Sequence, residues 1–175
     1  MARISLITPE NAPAEVQEIY TTMLRGKPGN VQQALAQRPE MLKNFLNFYA
    51  TVGRSLERKL YELIYIRVSL INECTYCTQH HLASSKRVGL TAEDWAALKA
   101  GDYSRYTEKE AAALKYVEKL TRTPHGIDDV DFASLKKNFT DPDIVDIHML
   151  AGLVNLTNRV TDPLGLEVEF PQEKI

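Results

Sequence analysis

The stretch Glu62-Leu-Ile-Tyr-Ile-Arg-Val-Ser-Leu-Ile-Asn-Glu-Cys74-Thr-Tyr-Cys77-Thr-Gln-His80-His81 reads as the end of one helix, a polar turn and the start of another. Apolar residues return every three or four positions, the period of a helix face, and strand-like alternation is absent. Asn72-Glu73 marks the exit of the first helix, and Cys74 or Thr75 opens the second, which Val88-Gly89 ends with a glycine stop.

The same period extends in both directions. Pro13 opens a helix to about residue 25, ended by the breakers Gly26-Lys27-Pro28-Gly29, and a short helix covers about 31–36. Pro39 starts another that stops near Gly53, and Ser55 begins the helix that carries Glu62. Downstream, Thr91-Ala-Glu-Asp and Thr107-Glu-Lys-Glu each place a Thr three residues before an acid, the reciprocal pattern that satisfies orphan N–H groups at a helix start. Residues 128–138 and about 141–160 form two more helices, and the tail from Asp162-Pro163 is irregular. The reading is an all-α fold: a single-domain helical bundle of about eight to nine helices over residues 1–175.

Composition fits that architecture. With 175 residues, 44% hydrophobic and 25% charged, the chain is long enough to bury a real core. Its 21 Lys+Arg and 23 Asp+Glu leave a net charge of −2 with neither sign gathered into a block, so neither nucleic acid nor a membrane is an expected partner. No run reaches the roughly 18 to 20 apolar residues of a membrane span, and residues 1–13 lack the order of a signal peptide. The expected location is the cytoplasm.

Two cysteines, Cys74 and Cys77, are the only ones in the chain. A disulfide across so short a loop stabilises little through chain entropy and cycles easily between thiol and disulfide. At about 100° per residue Cys74, Cys77 and His81 fall within a sector of roughly 60°, whereas His80 points away. His81 lies one turn after Cys77, close enough to take its proton directly or through a water. Cys74, at the helix start, meets unpaired N–H groups that favour negative charge. Glu62 sits in a segment whose only other strongly polar members are Arg67 and Ser69, so the turn at 72–73 can fold a half-apolar carboxylate back against the cysteine helix as a proton acceptor. These residues suggest a relay of Glu62, His81 and Cys77 in a dithiol poised for oxidation by a hydroperoxide, with Cys77 attacking and Cys74 resolving; the reverse order also stands.

Plainer readings compete at each position. Glu62 can pair with Arg58 on its own helix. A zinc site would find three ligands in Cys74, Cys77 and His81 and need His148 or His125 as a fourth. His80 reads as a surface or interface residue, His125 as a loop residue and His148 as a hydrogen-bonded packing residue. Phe45, Phe48 and Tyr49 read as core or interface packing, and Arg159 with Asp162 as an ion pair near a helix end.

The motif resembles the alkylhydroperoxidase D-like branch of the carboxymuconolactone decarboxylase superfamily, including its peroxidase-related members. A Glu twelve residues before C-x-x-C and a His four after the second Cys match Glu62, Cys74, Cys77 and His81, and Leu82, Ala83 and Gly89 fit the flank. Asn155-x-x-Asn158-Arg159-x-x-Asp162 resembles the C-terminal pattern of those members, so the likeness spans about residues 40–165. The resemblance implies an all-helical homo-oligomer, a trimer or hexamer. It also implies a thiol-dependent peroxidase that needs no cofactor beyond its cysteine pair, takes a hydroperoxide substrate, and is recycled by a dithiol reductant such as a lipoyl or thioredoxin-like donor. It assigns activation of the second cysteine to the Glu–His relay. Well-studied alkylhydroperoxidases carry a His between the two cysteines, where this chain has Tyr76. A redox-sensing or general thiol–disulfide protein and a lyase acting through Glu62 and His81 are the alternatives.

Overall fold

The computed structural model describes residues 2–173 and is all-helical. Among the described residues, nine α-helices follow one another: α1 Ala14–Leu24, α2 Asn30–Leu35, α3 Pro39–Val52, α4 Arg58–Ile71, α5 Thr75–Arg87, α6 Ala92–Ala100, α7 Glu108–Arg122, α8 Asp129–Lys136 and α9 Asp141–Thr161. A 3-10 turn at Pro124–Gly126 joins α7 to α8.

Helix α4 is the axis of the fold. It packs against α5, α6, α7 and α9, and residues 60–69 are all buried, the condition of a helix wrapped on every side. Its apolar residues serve two cores, one with α7 and α9 through Ile64, Val68, Val117 and Val154, the other with α6 through Leu63, Ile66, Trp95 and Leu98. A third, smaller cluster of Val16, Ile19, Tyr20 and Leu42 seats α1 on α3.

Because α4 has no wet face, each of its polar residues needs a partner inside the protein. Arg67 donates to the Leu98 carbonyl at 2.6 Å and pairs with Glu118 at 2.7 Å, tying α4 to α6 and α7; its buried Nε finds no hydrogen-bond partner among the described residues. Gly101, in the left-handed region at φ 71°, leaves room for this guanidinium, since a Cβ there would stand 3.1 Å from Arg67 Nη2. Glu62 and Ser69 turn the other way, towards α5 and α9.

Helix starts follow the sequence with one correction. Both expected capping boxes form, at Thr91 and Thr107, and Asp128 and Thr140 add two more. The cap of α4 is Glu57 rather than Ser55: the Glu57 carboxylate accepts from the Lys59 and Leu60 amides, each at 2.9 Å, while the Ser55 hydroxyl is drawn back to the Val52 carbonyl at 3.0 Å. Among the described residues no helix is long and apolar enough to cross a membrane.

Candidate active site

The turn between α4 and α5 sets the site. Glu73 takes a left-handed conformation, φ 57°, and the Cys74 amide reaches back to the Ser69 carbonyl at 2.9 Å, closing α4 as α5 opens. Cys74 is the N-cap of α5, and its Sγ accepts the Cys77 amide at 3.2 Å. The two cysteines form a disulfide.

Glu62 and His81 meet where α4 and α5 pack. The carboxylate is fully buried; its Oε2 accepts from His81 Nδ1 at 2.7 Å, and Oε1 lies 2.7 Å from Arg58 Nη2 in an ionic contact outside hydrogen-bond geometry. Pairing with Arg58 and with His81 therefore coexist. A carboxylate only accepts, so Nδ1 carries the imidazole proton and Nε2 presents its lone pair. The Tyr49 hydroxyl stands 3.4 Å from Nε2, and the Tyr65 ring stacks on the imidazole with centroids 3.5 Å apart. Burial pushes His81 below its ordinary range, outweighing the opposing pull of Glu62, and burial also raises the Tyr49 and Tyr65 phenols. The result is a neutral imidazole between protonated phenols.

The sulfurs look towards α9. Asn158 Nδ2 donates to Cys77 Sγ at 3.0 Å and to Ser69 Oγ at 3.2 Å, while Asn72 Nδ2 donates to Asn158 Oδ1 at 2.8 Å and fixes which end of the amide faces the sulfur. The Thr161 hydroxyl lies 3.2 Å from Cys74 Sγ and 3.5 Å from Cys77 Sγ. Cys77 and His81 border the same pocket, of about 460 Å³; Cys74 is wholly buried behind it. His81 Nε2 and Cys77 Sγ share that pocket without hydrogen-bonding each other.

The surroundings differ from several sequence expectations. Phe45, Phe48 and Tyr49 pack against the main core as expected, and Phe45 and Tyr49 are pocket wall as well. His80, expected at a surface or interface, is part-exposed and also borders the pocket, with Nε2 2.8 Å from Glu169 Oε2 and its ring 4.3 Å from that of Tyr76. The Arg159–Asp162 ion pair does not form: Arg159 bends back onto Asn155, at 3.0 Å to its carbonyl and 2.7 Å to Oδ1. His148 is a packing histidine, bonded to the Ile144 carbonyl at 2.8 Å and to the Tyr116 hydroxyl at 3.1 Å. His125 lies exposed in the 3-10 turn. Among the described residues no three His, Cys, Asp or Glu side chains are arranged to hold a metal ion.

Asn158, Thr161 and Glu169 were missed as site residues. One signal was available for the first two: Thr157, Asn158 and Thr161 put polar groups on the helix face that elsewhere carries Ile147, Leu150, Ala151 and Val154, and polar groups on a buried face need partners.

Residues 39–119 match the carboxymuconolactone decarboxylase family model, a span that contains both cysteines, Glu62 and His81 but stops short of α9. The chain is 28% identical over 130 residues to the uncharacterized protein YdfG of Bacillus subtilis (strain 168), covering 73% of this chain and 88% of that one. An uncharacterized peroxidase-related protein from Silicibacter sp. TM1040 superposes with a TM-score of 0.82 at 27% identity, over 96% of this chain and 92% of its own. A protein of unknown function from Agrobacterium tumefaciens, for which an antioxidant defence role has been suggested, superposes with a TM-score of 0.73 at 28% identity, over 79% and 97% of the two chains.

Proposed function

We propose that the chain, whose residues 39–119 match the carboxymuconolactone decarboxylase family model and whose fold is that of alkylhydroperoxidase D-like, peroxidase-related proteins, is a thiol-dependent peroxidase. The observation that carries the reading is the unequal placing of a close sulfur pair: Cys77 borders a pocket beside a neutral imidazole, and Cys74 waits behind it.

In the reduced protein the Cys77 thiolate attacks the terminal oxygen of a hydroperoxide. An S–O bond forms, the O–O bond breaks, and the alkoxide leaves as an alcohol once protonated. His81 Nε2 receives the Cys77 proton through a water or the hydroperoxide itself and returns it to the leaving oxygen, with Glu62 stabilising the transient imidazolium. The Asn158 amide supports the thiolate, since a hydrogen bond to a charged acceptor is stronger than one to a neutral thiol. Cys74 then attacks the Cys77 sulfenic acid, forming the S–S bond and expelling water, and an external dithiol, lipoyl or thioredoxin-like, restores both thiols. The cysteine pair is the only redox group this cycle requires. Dependence on a dithiol donor fits the reducing cytoplasm.

The test is a mass-spectrometric thiol count before and after one equivalent of cumene hydroperoxide, with Cys77→Ser alongside. Loss of two thiols as one intramolecular disulfide, recovery with dihydrolipoamide and an inert mutant are expected. Persistence of both thiols over minutes overturns the reading, and any lyase activity that survives alkylation of the cysteines replaces it. Self-association belongs to the same proposal: Val145, Met149 and Leu156 lie exposed along one stripe of α9, beside Gly152, where a second copy would pack. Light scattering reads the assembly mass, and Met149→Glu should lower it.

A further inference from the structure

Glu169 sits in the irregular tail, yet its carboxylate is held by three donors of the folded body. Its Oε1 accepts from the Tyr76 hydroxyl at 2.8 Å and from the Asn30 backbone N–H, and Oε2 pairs with His80 Nε2 at 2.8 Å. Gly29 permits the approach, because a Cβ there would stand 3.0 Å from Glu169 Oε1 and 3.1 Å from the Tyr76 oxygen. Burial opposes the charge on Glu169, but the hydrogen bonds from His80, Asn30 and Tyr76 outweigh it and hold the carboxyl down at about 2.

These donors stand on the pocket that Cys77 borders. Pro28, Val31, Phe45 and Tyr65 give it apolar wall beside the polar Gln32, Tyr49, His81 and Thr157, and the exposed Lys27 adds positive charge. The tail that supplies the carboxylate is lightly anchored. Among the described residues Leu166 is its last buried apolar residue; beyond it Val168 is partly buried against the core, Phe170 rests edge-on against His80 while remaining 42% exposed, and Glu173 is held by Gln79 and Lys86 at the surface. Segments with so little buried area open locally at small cost.

We propose that Tyr76 and His80, with the Asn30 N–H beside them, form a carboxylate subsite of the substrate pocket. Glu169 fills it in the resting chain, and the preferred hydroperoxides carry a carboxylate on an apolar body that displaces the tail. The hydroperoxide part rests on the peroxidase reading; the subsite itself does not. Tyr76 thereby acquires a task at the position where the resemblance leads one to expect a histidine. An internal carboxylate that keeps the subsite closed most of the time weakens the apparent affinity of an external one by the fraction of open chains.

The experiment separates the two parts by using an unreactive acid. Titration calorimetry of the disulfide form with decanoate and with methyl decanoate compares the wild type, Glu169→Ala and Glu169→Gln, the last keeping the side-chain volume. Removing the internal carboxylate should tighten decanoate binding by about tenfold and move the ester by less than twofold. Adding Tyr76→Phe or His80→Gln to Glu169→Ala should take the gain away. Equal shifts for acid and ester, or none for either, overturn the subsite. Peroxide consumption by the thiol count stands apart: decanoate binding without consumption retires the peroxidase reading alone, and consumption without a carboxylate effect retires the subsite alone.

Discussion

His80 and His81 are neighbours in sequence, and each meets a carboxylate at almost the same distance, 2.8 and 2.7 Å, but the two pairs are built differently. The His81 partner is Glu62, on a helix buried on every side, and neither residue can leave without opening the core. The His80 partner is Glu169, on a tail with no helix or strand among the described residues, whose apolar anchors Leu164, Leu166 and Val168 lie before it and whose own hold on the body is polar. One inter-residue distance thus describes both a fixed device that sets the tautomer of an imidazole and a fastening that can be undone. What separates them is the cost of moving the carboxylate, which depends on the element that carries it.

The inner pair is tested most severely by Glu62→Gln. The amide keeps the shape but no longer favours the imidazolium, so consumption of cumene hydroperoxide should fall by about a hundredfold, in the range of lost general acid–base catalysis. A loss below threefold would mean that Glu62 only packs. Next in size is Asn158→Leu, which removes the donor to Cys77. Alkylation of the reduced protein by iodoacetamide at pH 7 should slow by roughly tenfold as the thiolate loses a charge-assisted hydrogen bond. An unchanged rate would show that the amide serves the fold alone.

Acid should pull the two pairs apart. The folded value of His81 is depressed below 6.5, so below that pH the unfolded chain binds more protons than the native one. Its contribution to stability is complete above 6.5 and is lost as the pH falls from there towards the folded value. Glu169 is depressed from 4.5 to about 2, so its contribution is complete above 4.5 and disappears on the way to 2. Urea unfolding between pH 7 and 5 should register the first loss, and hydrogen exchange over residues 167–173 between pH 4.5 and 3 the second. Loss of tail protection already between pH 7 and 5 would erase the distinction. The smallest expected effect is that of Glu169→Gln at neutral pH: a few-fold faster exchange over 167–173 with none over 62–81, in keeping with the modest worth of partly exposed ion pairs.

The sequence carried the parts that depend on nearby residues. Glycine stops, capping boxes and helix period are local signals, and they place the helices. Glu62 and His81 are separated by 19 residues, but both lie on helices joined by a short turn, so their meeting follows from helical arithmetic. Asn158 reaches Cys77 across 81 residues and Glu169 reaches Tyr76 across 93, and no period predicts where two such distant segments will lie. The aromatic residues of α3 were legible as buried. Whether they face a core or a cavity depends on the gap between α5 and α9, which only the packed structure defines. The supposed Arg159–Asp162 pair failed for a nearer reason, since the Asn155 side chain and carbonyl offered Arg159 acceptors on its own helix.

Thr161 has one hydroxyl proton and four acceptors around it: the Thr157 carbonyl at 3.1 Å, the Asn158 carbonyl at 3.3 Å, and the two cysteine sulfurs at 3.2 and 3.5 Å. Sulfurs bonded to each other accept weakly, and the proton goes to the helix; a thiolate competes for it. The last turn of α9 therefore has two hydrogen-bond patterns, one for each oxidation state. A methyl resonance at Thr161 becomes a gauge of the redox state that needs no added label, placed one residue before the tail begins.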